Sequence, residues 1–247
     1  MLVAWGNAWL TGHVGLDEAV DAVEHAGGPQ VAVGIPGETE EVPLRRGLGA
    51  LRIAGLTGLR LALPAPGDPL GLPGPASLNT AALEVGEAVL AALPTPVALV
   101  PAEDRRGSSY VGVRWTAHEA LRAVPDAPML PEADHALSMT LREATETLLR
   151  LDVACWRPEL ADALATLREL HHREPVGGLA PGYPPRAHRV AALAGRLAIV
   201  VELALRDEGG ALTATEAARR REALNTLDRA VRRAQVAAYN SALECAR

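Results

Sequence analysis

The sequence VAALAGRLAIVVELAL, residues Val190–Leu205, is the most apolar run in the chain. Only Arg196 and Glu202 interrupt its apolar side chains. A helix that crosses a bilayer needs about 20 predominantly apolar residues. This run is shorter and carries two charges, so no membrane span is expected. A helix that is apolar around most of its circumference is normally enclosed by protein. The run therefore predicts a central helix with other helices packed around it.

The sequence on both sides of this run also has helical periodicity. Five apolar residues before it recur at steps of three and four, which is typical of an amphipathic helix. They are Leu137, Leu141, Ala144, Leu148 and Leu151. A second stripe of leucines follows Pro158. Thr213 and Glu216 have the spacing of a capping box, in which two side chains satisfy the free amides of a helix start. They predict a long final helix.

The final helix has a heptad pattern of mostly small residues. The positions seven apart are Ala217, Leu224, Val231, Ala238 and Cys245. Leu227, Ala234 and Ser241 lie near the second heptad position. Small side chains allow helices to approach closely and to pack at shallow angles, as in a bundle. The pattern favours a helical bundle that self-associates.

The first half of the chain has a different pattern, in which short apolar runs alternate with helical segments. The runs at 30–35, 59–63, 97–100 and 110–115 predict strands. A helix from Pro43 to Gly55, and another opened by Asn79 or Thr80 and reaching Leu93, lie between them. Strands that alternate with helices indicate a parallel sheet with right-handed crossovers. Two short helices, one carrying Trp5 and Trp9 on a single face, precede the first strand.

These patterns predict an α+β chain in two parts. The first is a small α/β domain, βαβαβ-like with a mostly parallel sheet, preceded by the short helices. The second is an all-α helical bundle. The segment PDAPMLP, Pro125–Pro131, holds three prolines in seven residues and marks the boundary between them. We therefore predict domains at residues 1–127 and 131–247.

Composition excludes several function classes. The formal net charge is −6: residues 1–131 hold 8 arginines and 14 acidic residues, and residues 132–247 hold 16 of each. Neither half has the basic surface of a nucleic-acid-binding protein. All 24 basic residues are arginine. The absence of lysine excludes Schiff-base catalysis and a phosphate-binding loop lysine from this chain.

Cysteine usage and the first residues predict a cytoplasmic protein. Cys155 and Cys245 are far apart and form no CxxC pattern, which indicates free thiols. The sequence MLVAWGNAWLTGH lacks the basic start and the long apolar stretch of a secretion signal.

Two Glu-x-x-His pairs have the spacing that di-iron helical bundles use. The pairs are Glu132 with His135 and Glu169 with His172. At about 100° per residue, both pairs point away from the leucine stripes of their helices. The sequence therefore predicts no metal site. We also find no motif for a nucleotide cofactor and expect no cofactor.

A ligand site is one interpretation of three loops that follow predicted strands. In open α/β sheets, ligands bind outside the carboxyl ends of the strands. The loops at 36–41, 64–79 and 101–109 would meet there. Their polar residues form the predicted site: Glu38, Asp68, Asn79, Asp104, Arg106 and Ser108. An arginine in this set could pair with a carboxylate or a phosphate. Polar loop residues are also common in compact domains without any site.

Two functions from different classes follow. The first is a non-catalytic interaction or scaffold protein that forms homo-oligomers through its bundle and binds a protein partner. It is favoured by the heptad pattern and by the lack of a catalytic motif. The second is a small-molecule-binding or enzymatic α/β domain that acts at the three loops.

Overall fold

A computed structural model of the chain describes residues 1–106, 110–122, 126–151, 178–206 and 213–243. The chain divides into two compact units. The first contains Met1–Ala127, Leu179–Pro184 and the chain from Tyr239 onward. The second contains Pro128–Gly178 and Pro185–Ala238. Helices occur in both units and a mixed six-stranded sheet in the first, so the predicted α+β chain in two parts is confirmed at this level.

The first unit contains four helices and six strands within the described part of residues 1–127. In chain order they are α1 (Leu2–Leu10), α2 (Leu16–Gly27), β1 (Gln30–Val33), β2 (Val42–Pro43), α3 (Leu44–Ile53), β3 (Leu59–Ala62), α4 (Ala76–Val85), β4 (Ala88–Ala91), β5 (Val97–Arg106) and β6 (Tyr110–Glu119). The two short helices predicted before the first strand are present.

The prediction of a mostly parallel sheet is wrong. The strand order is β2-β1-β6-β5-β4-β3, and only β1 and β6 are parallel neighbours. Strands β5 and β6 form a hairpin that pairs from Val97 opposite Glu119 to Arg106 opposite Tyr110. A connection this short joins only antiparallel strands, because parallel neighbours need a long crossover. Residues 101–106, predicted as a loop, are part of this hairpin.

Strand β4 explains much of the wrong prediction of strand direction, because the sequence predicted a helix through Ala88–Ala91. Helix α4 ends instead at Val85, and Gly86 follows it with a left-handed backbone (φ +81°). A glycine in this conformation commonly ends a helix, and its amide bonds the carbonyl of Ala82 at 2.8 Å. The freed residues Ala88–Ala91 pair with β3 and β5.

Helices pack on the sheet through small residues and leucines. One cluster consists of α4 and the strand residues beneath it: Ala62, Leu78, Ala82, Ala88, Ala98 and Val100. In α3, the predicted stripe of Leu44, Leu48 and Leu51 is buried. A Cβ atom at Gly47 would lie 3.1 Å from the Cβ of Ala32. The missing side chain at Gly47 therefore lets α3 lie close to β1.

The second unit is helical wherever its described residues adopt regular structure. Its helices are α5 (Leu130–Arg150), α6 (Pro185–Arg206) and α7 (Ala214–Asn240), and the last two residues of α7 fall in the first unit. The reciprocal capping box at the start of α7 is confirmed. The Thr213 amide donates to Glu216 at 3.0 Å, and the Glu216 amide donates to the Thr213 hydroxyl at 3.2 Å. The helix predicted after Pro158 lies outside the described residues.

The predicted central helix exists as α6, but the prediction that it is enclosed is wrong. Its buried residues lie on one face: Ala187, Val190, Ala191, Ala194 and Val201. On another face, Val200 is 40% exposed. The two charges of the run lie on exposed positions and bond within their own helix. Arg196 donates to the carbonyl of Ala192, and Arg206 pairs with Glu202 at 2.6 Å. Helix α6 is therefore amphipathic.

Candidate functional site

The five described residues of the predicted ligand site are not all brought together. Strand β1 is parallel to β6, and three successive antiparallel pairings lead from β6 to β3. Strands β1 and β3 therefore run in opposite directions. The loop after β1 contains Glu38, and the loop after β3 contains Asp68. These two loops therefore leave the sheet at opposite ends of its strands.

Three of the predicted residues bond within their own part of the chain. Glu38 pairs with Arg46 of α3 at 2.8 Å. Asn79 accepts a hydrogen bond from the amide of Gly74 at 3.1 Å, five residues earlier. Asp68 is buried, and its backbone exchanges two 2.9 Å hydrogen bonds with Ala65. These contacts hold local turns. Ser108 lies outside the described residues.

The other two predicted residues, Asp104 and Arg106, do meet, and two further side chains join them. We call Glu41, Asp104, Arg106 and Arg114 the hairpin cluster. Arg106 lies 2.8 Å from Asp104 and also contacts Glu41. Arg114 lies 3.1 Å from Glu41 and 3.5 Å from Asp104. The side chain of Asp104 is only 6% exposed.

The hairpin register explains why these residues converge. Side chains of a strand alternate between the two faces, and directly opposed residues share a face. Asp104 opposes Gly112, and Arg106 opposes Tyr110, so these residues and Arg114 lie on one face. The Arg106 guanidinium carbon lies 5.6 Å from the centre of the Tyr110 ring, within the range of a cation–π contact.

The charges of the hairpin cluster are balanced and fixed. The hydrogen bond from Arg106 lowers the pKa of Asp104, and the positive charges of Arg106 and Arg114 act in the same direction. The bonds to Asp104 and Glu41 raise the pKa of Arg106. A general acid near neutral pH needs a raised carboxyl pKa, and a free guanidinium is needed to receive an anion. The pKa of Asp104 is shifted in the opposite direction and both guanidinium groups are paired with carboxylates, so the cluster ties the hairpin to Glu41.

The lowered pKa of Asp104 predicts a loss of stability in acid. When the pKa of a carboxyl group is lower in the folded than in the unfolded protein, the carboxylate stabilises the fold fully at pH values above its unfolded pKa. This contribution is lost as the pH falls through the folded pKa. The loss should therefore begin near the ordinary value of 3.8 and increase below it. Urea midpoints measured from about pH 2 to pH 6 test this. We expect Asp104→Asn to remove this part of the acid dependence.

Glu103→Gln is the matched control on the same strand. A hydrogen bond from Arg105 also lowers the pKa of Glu103, but the Glu103 side chain is 53% exposed and solvent screens the pair. We expect the control to keep the acid dependence of the natural protein. If Asp104→Asn also keeps it, the cluster does not contribute as described.

Sequence reasoning missed Glu41 and Arg114. Glu41 lies in the predicted loop 36–41, and Arg114 in the predicted strand 110–115. The sequence contains a signal for Arg114, because alternate residues of a hairpin strand lie on one face and a hairpin through 104–114 puts Asp104 and Arg114 on the same face. Recognising 101–106 as strand was the missing step.

Two grooves lie on the helical unit. One, of about 390 Å³, runs along the outer face of α7, and those of its lining residues that the structure describes belong to that helix. They are Ala218, Arg221, Glu222, Asn225, Thr226 and Arg229. A second groove of about 260 Å³ lies between α5 and α7. Both linings are mainly polar or charged.

Neither a metal centre nor a membrane-spanning helix occurs in the described ranges. They contain no cluster of three or more His, Cys, Asp or Glu side chains placed to hold a metal ion. Glu132 and His135 are both exposed, as their helical positions predict. None of the helices in these ranges combines the length and the apolarity that a bilayer crossing needs.

Comparison with known proteins identifies relatives along almost the whole chain. The family model for the N-terminal domain of Rv1486c-like protein matches residues 1–132, and that for the C-terminal domain matches residues 131–236. Two relatives from Mycobacterium tuberculosis are the uncharacterized proteins MT1533 of strain CDC 1551 / Oshkosh and Rv1486c of strain ATCC 25618 / H37Rv. Each is 28% identical over 291 aligned positions, which cover 99% of this chain and 96% of the relative.

No solved structure matches the chain significantly. The N-terminal family model alone spans more than half of the chain, and the C-terminal model continues from it. The chain therefore belongs to the Rv1486c-like protein family.

Proposed function

We propose that this protein is a non-catalytic interaction protein that self-associates through the outer face of α7. The observation that carries the proposal is the groove along that face, whose lining contains both arginine and glutamate. The hairpin cluster supports a role without catalysis, because each of its carboxylates is paired with an arginine.

The heptad positions of α7 are not the proposed contact surface. Leu224, Leu227, Val231, Ala234 and Ala238 are all buried within the chain. A second copy would reach them only if the fold opened. The outer face remains, where Arg221, Glu222 and Asn225 are exposed.

The outer face of α7 is self-complementary, as a two-fold symmetric contact requires. In such a contact the same surface serves both copies, and each residue pair occurs twice. An antiparallel alignment centred between Asn225 and Thr226 places Glu222 opposite Arg229 of the second copy. It also places Ala218 opposite Arg233 and Arg221 opposite Ala230. This alignment forms two opposite-charge pairs, Glu222 with Arg229 in each direction. It also places Arg219 opposite Arg232, whose charge is paired with Asp228 of its own helix at 3.0 Å.

The contact should be weak. Exposed ion pairs contribute only about 0.2–1 kcal/mol each, and one helix pair is smaller than a standard interface, which buries about 1,600 Å². We therefore expect a dissociation constant on the order of micromolar or weaker. The small side chain of Ala218 favours close approach at the end of the contact.

Sedimentation velocity over a range of concentrations tests the proposal through charge reversal. Glu222→Arg and Arg229→Glu each oppose like charges in the proposed contact, so each variant should shift the equilibrium to monomer. The double variant restores opposite charges in swapped order. We expect it to recover at least half of the dimer fraction that the natural protein shows at the same concentration.

Arg142→Glu is the control, since it reverses an exposed charge on α5 outside the proposed contact. It should sediment like the natural protein. The proposal fails if the natural protein is monomeric at about 100 μM. It also fails if the double variant is no more associated than the two single variants, because rescue requires direct pairing.

The hairpin cluster provides the observation for a second candidate, an anion-binding site. The side chains of Arg106 and Arg114 are 45% and 43% exposed, and Arg106 lies over the Tyr110 ring. An anion would have to displace Glu41 or Asp104, so we place this function second. A thermal-shift series with inorganic phosphate and small dicarboxylates tests it. A stabilisation that disappears in Arg106→Gln would favour it.

A further inference from the structure

Strand β3 lies at an end of the sheet, so one row of its backbone groups faces away from β4. The Ala92 amide donates to the Gly58 carbonyl at 2.9 Å, which shows that Gly58 bonds toward β4 and thereby fixes which row this is. Alternate residues of an antiparallel strand bond to the same side. Arg60 and Ala62 therefore bond toward β4, and Leu59 and Leu61 present their N–H and C=O groups to the free edge.

Two asparagine side chains occupy this edge. The Leu59 amide donates to Asn7 Oδ1 at 2.8 Å, and Asn7 Nδ2 donates to the Leu59 carbonyl at 2.8 Å. The Leu61 amide donates to Asn240 Oδ1 at 2.7 Å, and Asn240 Nδ2 donates to the Leu61 carbonyl at 3.1 Å. Each carboxamide thus supplies the donor and the acceptor that one residue of a neighbouring strand would supply.

The two asparagines come from distant parts of the sequence and are buried against the strand. Asn7 belongs to α1 and is fully buried, and Asn240 ends α7 and is 4% exposed. Helix α1 approaches closely because Gly6 has no side chain. A Cβ atom there would lie 2.4 Å from Leu59 Cδ1.

We infer that Asn7 and Asn240 form an edge guard, which closes β3 to pairing with a strand of a second copy. An open edge strand is a template for strand addition and aggregation. The opposite end of the sheet is protected differently. Strand β2 has only two residues, and one of them, Pro43, has no amide hydrogen. The inference does not depend on dimerisation through α7.

Hydrogen exchange in the natural protein is the first test, and it requires no variant. An unguarded edge amide exchanges rapidly with solvent, whereas a saturated and buried one does not. We expect the amides of Leu59 and Leu61 to exchange within about tenfold of the rate of Leu99 in the interior strand β5. Exchange about a thousandfold faster than that of Leu99 would show an open edge and overturn the inference.

Asn7→Asp and Asn240→Asp test the guard itself. Each keeps the shape and the acceptor but loses the donated hydrogen bond and places a charge beside the strand carbonyl. The carboxylate repels the strand carbonyl to which the asparagine donated, and this repulsion opens the contact although the acceptor remains. We therefore expect the Leu59 or Leu61 amide, respectively, to exchange at least about tenfold faster. We also expect new concentration-dependent association, with gain of β-sheet signal in the infrared spectrum.

The control is Asn79→Asp, because the Oδ1 atom of Asn79 only accepts a hydrogen bond from Gly74 and an aspartate preserves this. It should exchange and sediment like the natural protein. The association measurement is repeated in the Glu222→Arg background, so that it is independent of α7. If both guard variants show faster exchange but no new association in that background, the asparagines are structural only and the guard is disproved.

Discussion

Replacement of Gly112 by alanine is expected to destabilise the first unit by about 2–3 kcal/mol, the upper part of the range for overpacking. A Cβ atom at Gly112 would lie 2.4 Å from the carbonyl oxygen of Pro29. That oxygen is a backbone atom and accepts a 2.9 Å hydrogen bond from Val113 at the start of the β1–β6 pairing. It cannot turn away as the end of a side chain can. Strand β1 must therefore separate from β6, its only parallel neighbour.

Gly49→Ala is the matched control, and it should raise the free energy of unfolding where Gly112→Ala lowers it. Gly49 lies inside α3, and a Cβ atom there would meet nothing within 4 Å. Glycine within a helix is less favourable than alanine by about 0.5–1 kcal/mol, so this substitution should stabilise by that amount. Urea unfolding followed by tryptophan fluorescence measures both. Equal effects for the two variants would contradict the close approach at Gly112.

Leu48→Ala should have a larger effect than Gly112→Ala, a loss of about 2–5 kcal/mol in the free energy of unfolding. Leu48 is the middle residue of the buried stripe of α3 and is only 1% exposed. Truncation removes its apolar contacts and leaves a cavity, because the neighbouring side chains can only partly close the space. The expected result is a large fall in the urea midpoint with little change in the slope of the transition.

Ile53→Ala on the same helix serves as the control for Leu48. Its side chain is 91% exposed, so truncation removes almost no buried area. The effect should lie within about 0.5 kcal/mol, as for most surface substitutions. A loss at Ile53 comparable to that at Leu48 would mean that the stripe of Leu44, Leu48 and Leu51 is not what anchors α3.

The helices were the most predictable part of the fold. The spacing of Leu44, Leu48 and Leu51 predicted α3 and its buried face, and the capping box of Thr213 and Glu216 predicted the start of α7. Both are signals between residues three or four positions apart. Such pairs are brought together by the helix itself and do not depend on the rest of the chain.

The sheet was less predictable because strand direction depends on partners far away in sequence. Residues 88–91 are equally compatible with the end of a helix and with a strand. Gly86 and the neighbouring strands β3 and β5 decide between them. The error in strand direction carried over to the candidate site. It placed the loops of Glu38 and Asp68 at the same end of the strands, whereas the antiparallel pairings put them at opposite ends.

The asparagine contacts illustrate the same limit over longer distances. Nothing in the local sequence around Asn240 indicates that it bonds Leu61, which is 179 residues earlier in the chain. Asn7 bonds Leu59 across 52 residues. Such pairs form only after the sheet has an end and a helix reaches it.

The sequence by itself determined the two-part α+β composition, the positions of most helices and the buried face of α3. These follow from periodicity and capping, which act within a few residues. Only the tertiary structure decided that the sheet is mixed, that α6 keeps an exposed face, and that Asp104 and Arg106 meet Glu41 and Arg114. Those outcomes depend on which distant segments become neighbours, and many pairings of short apolar strands are compatible with the same local pattern.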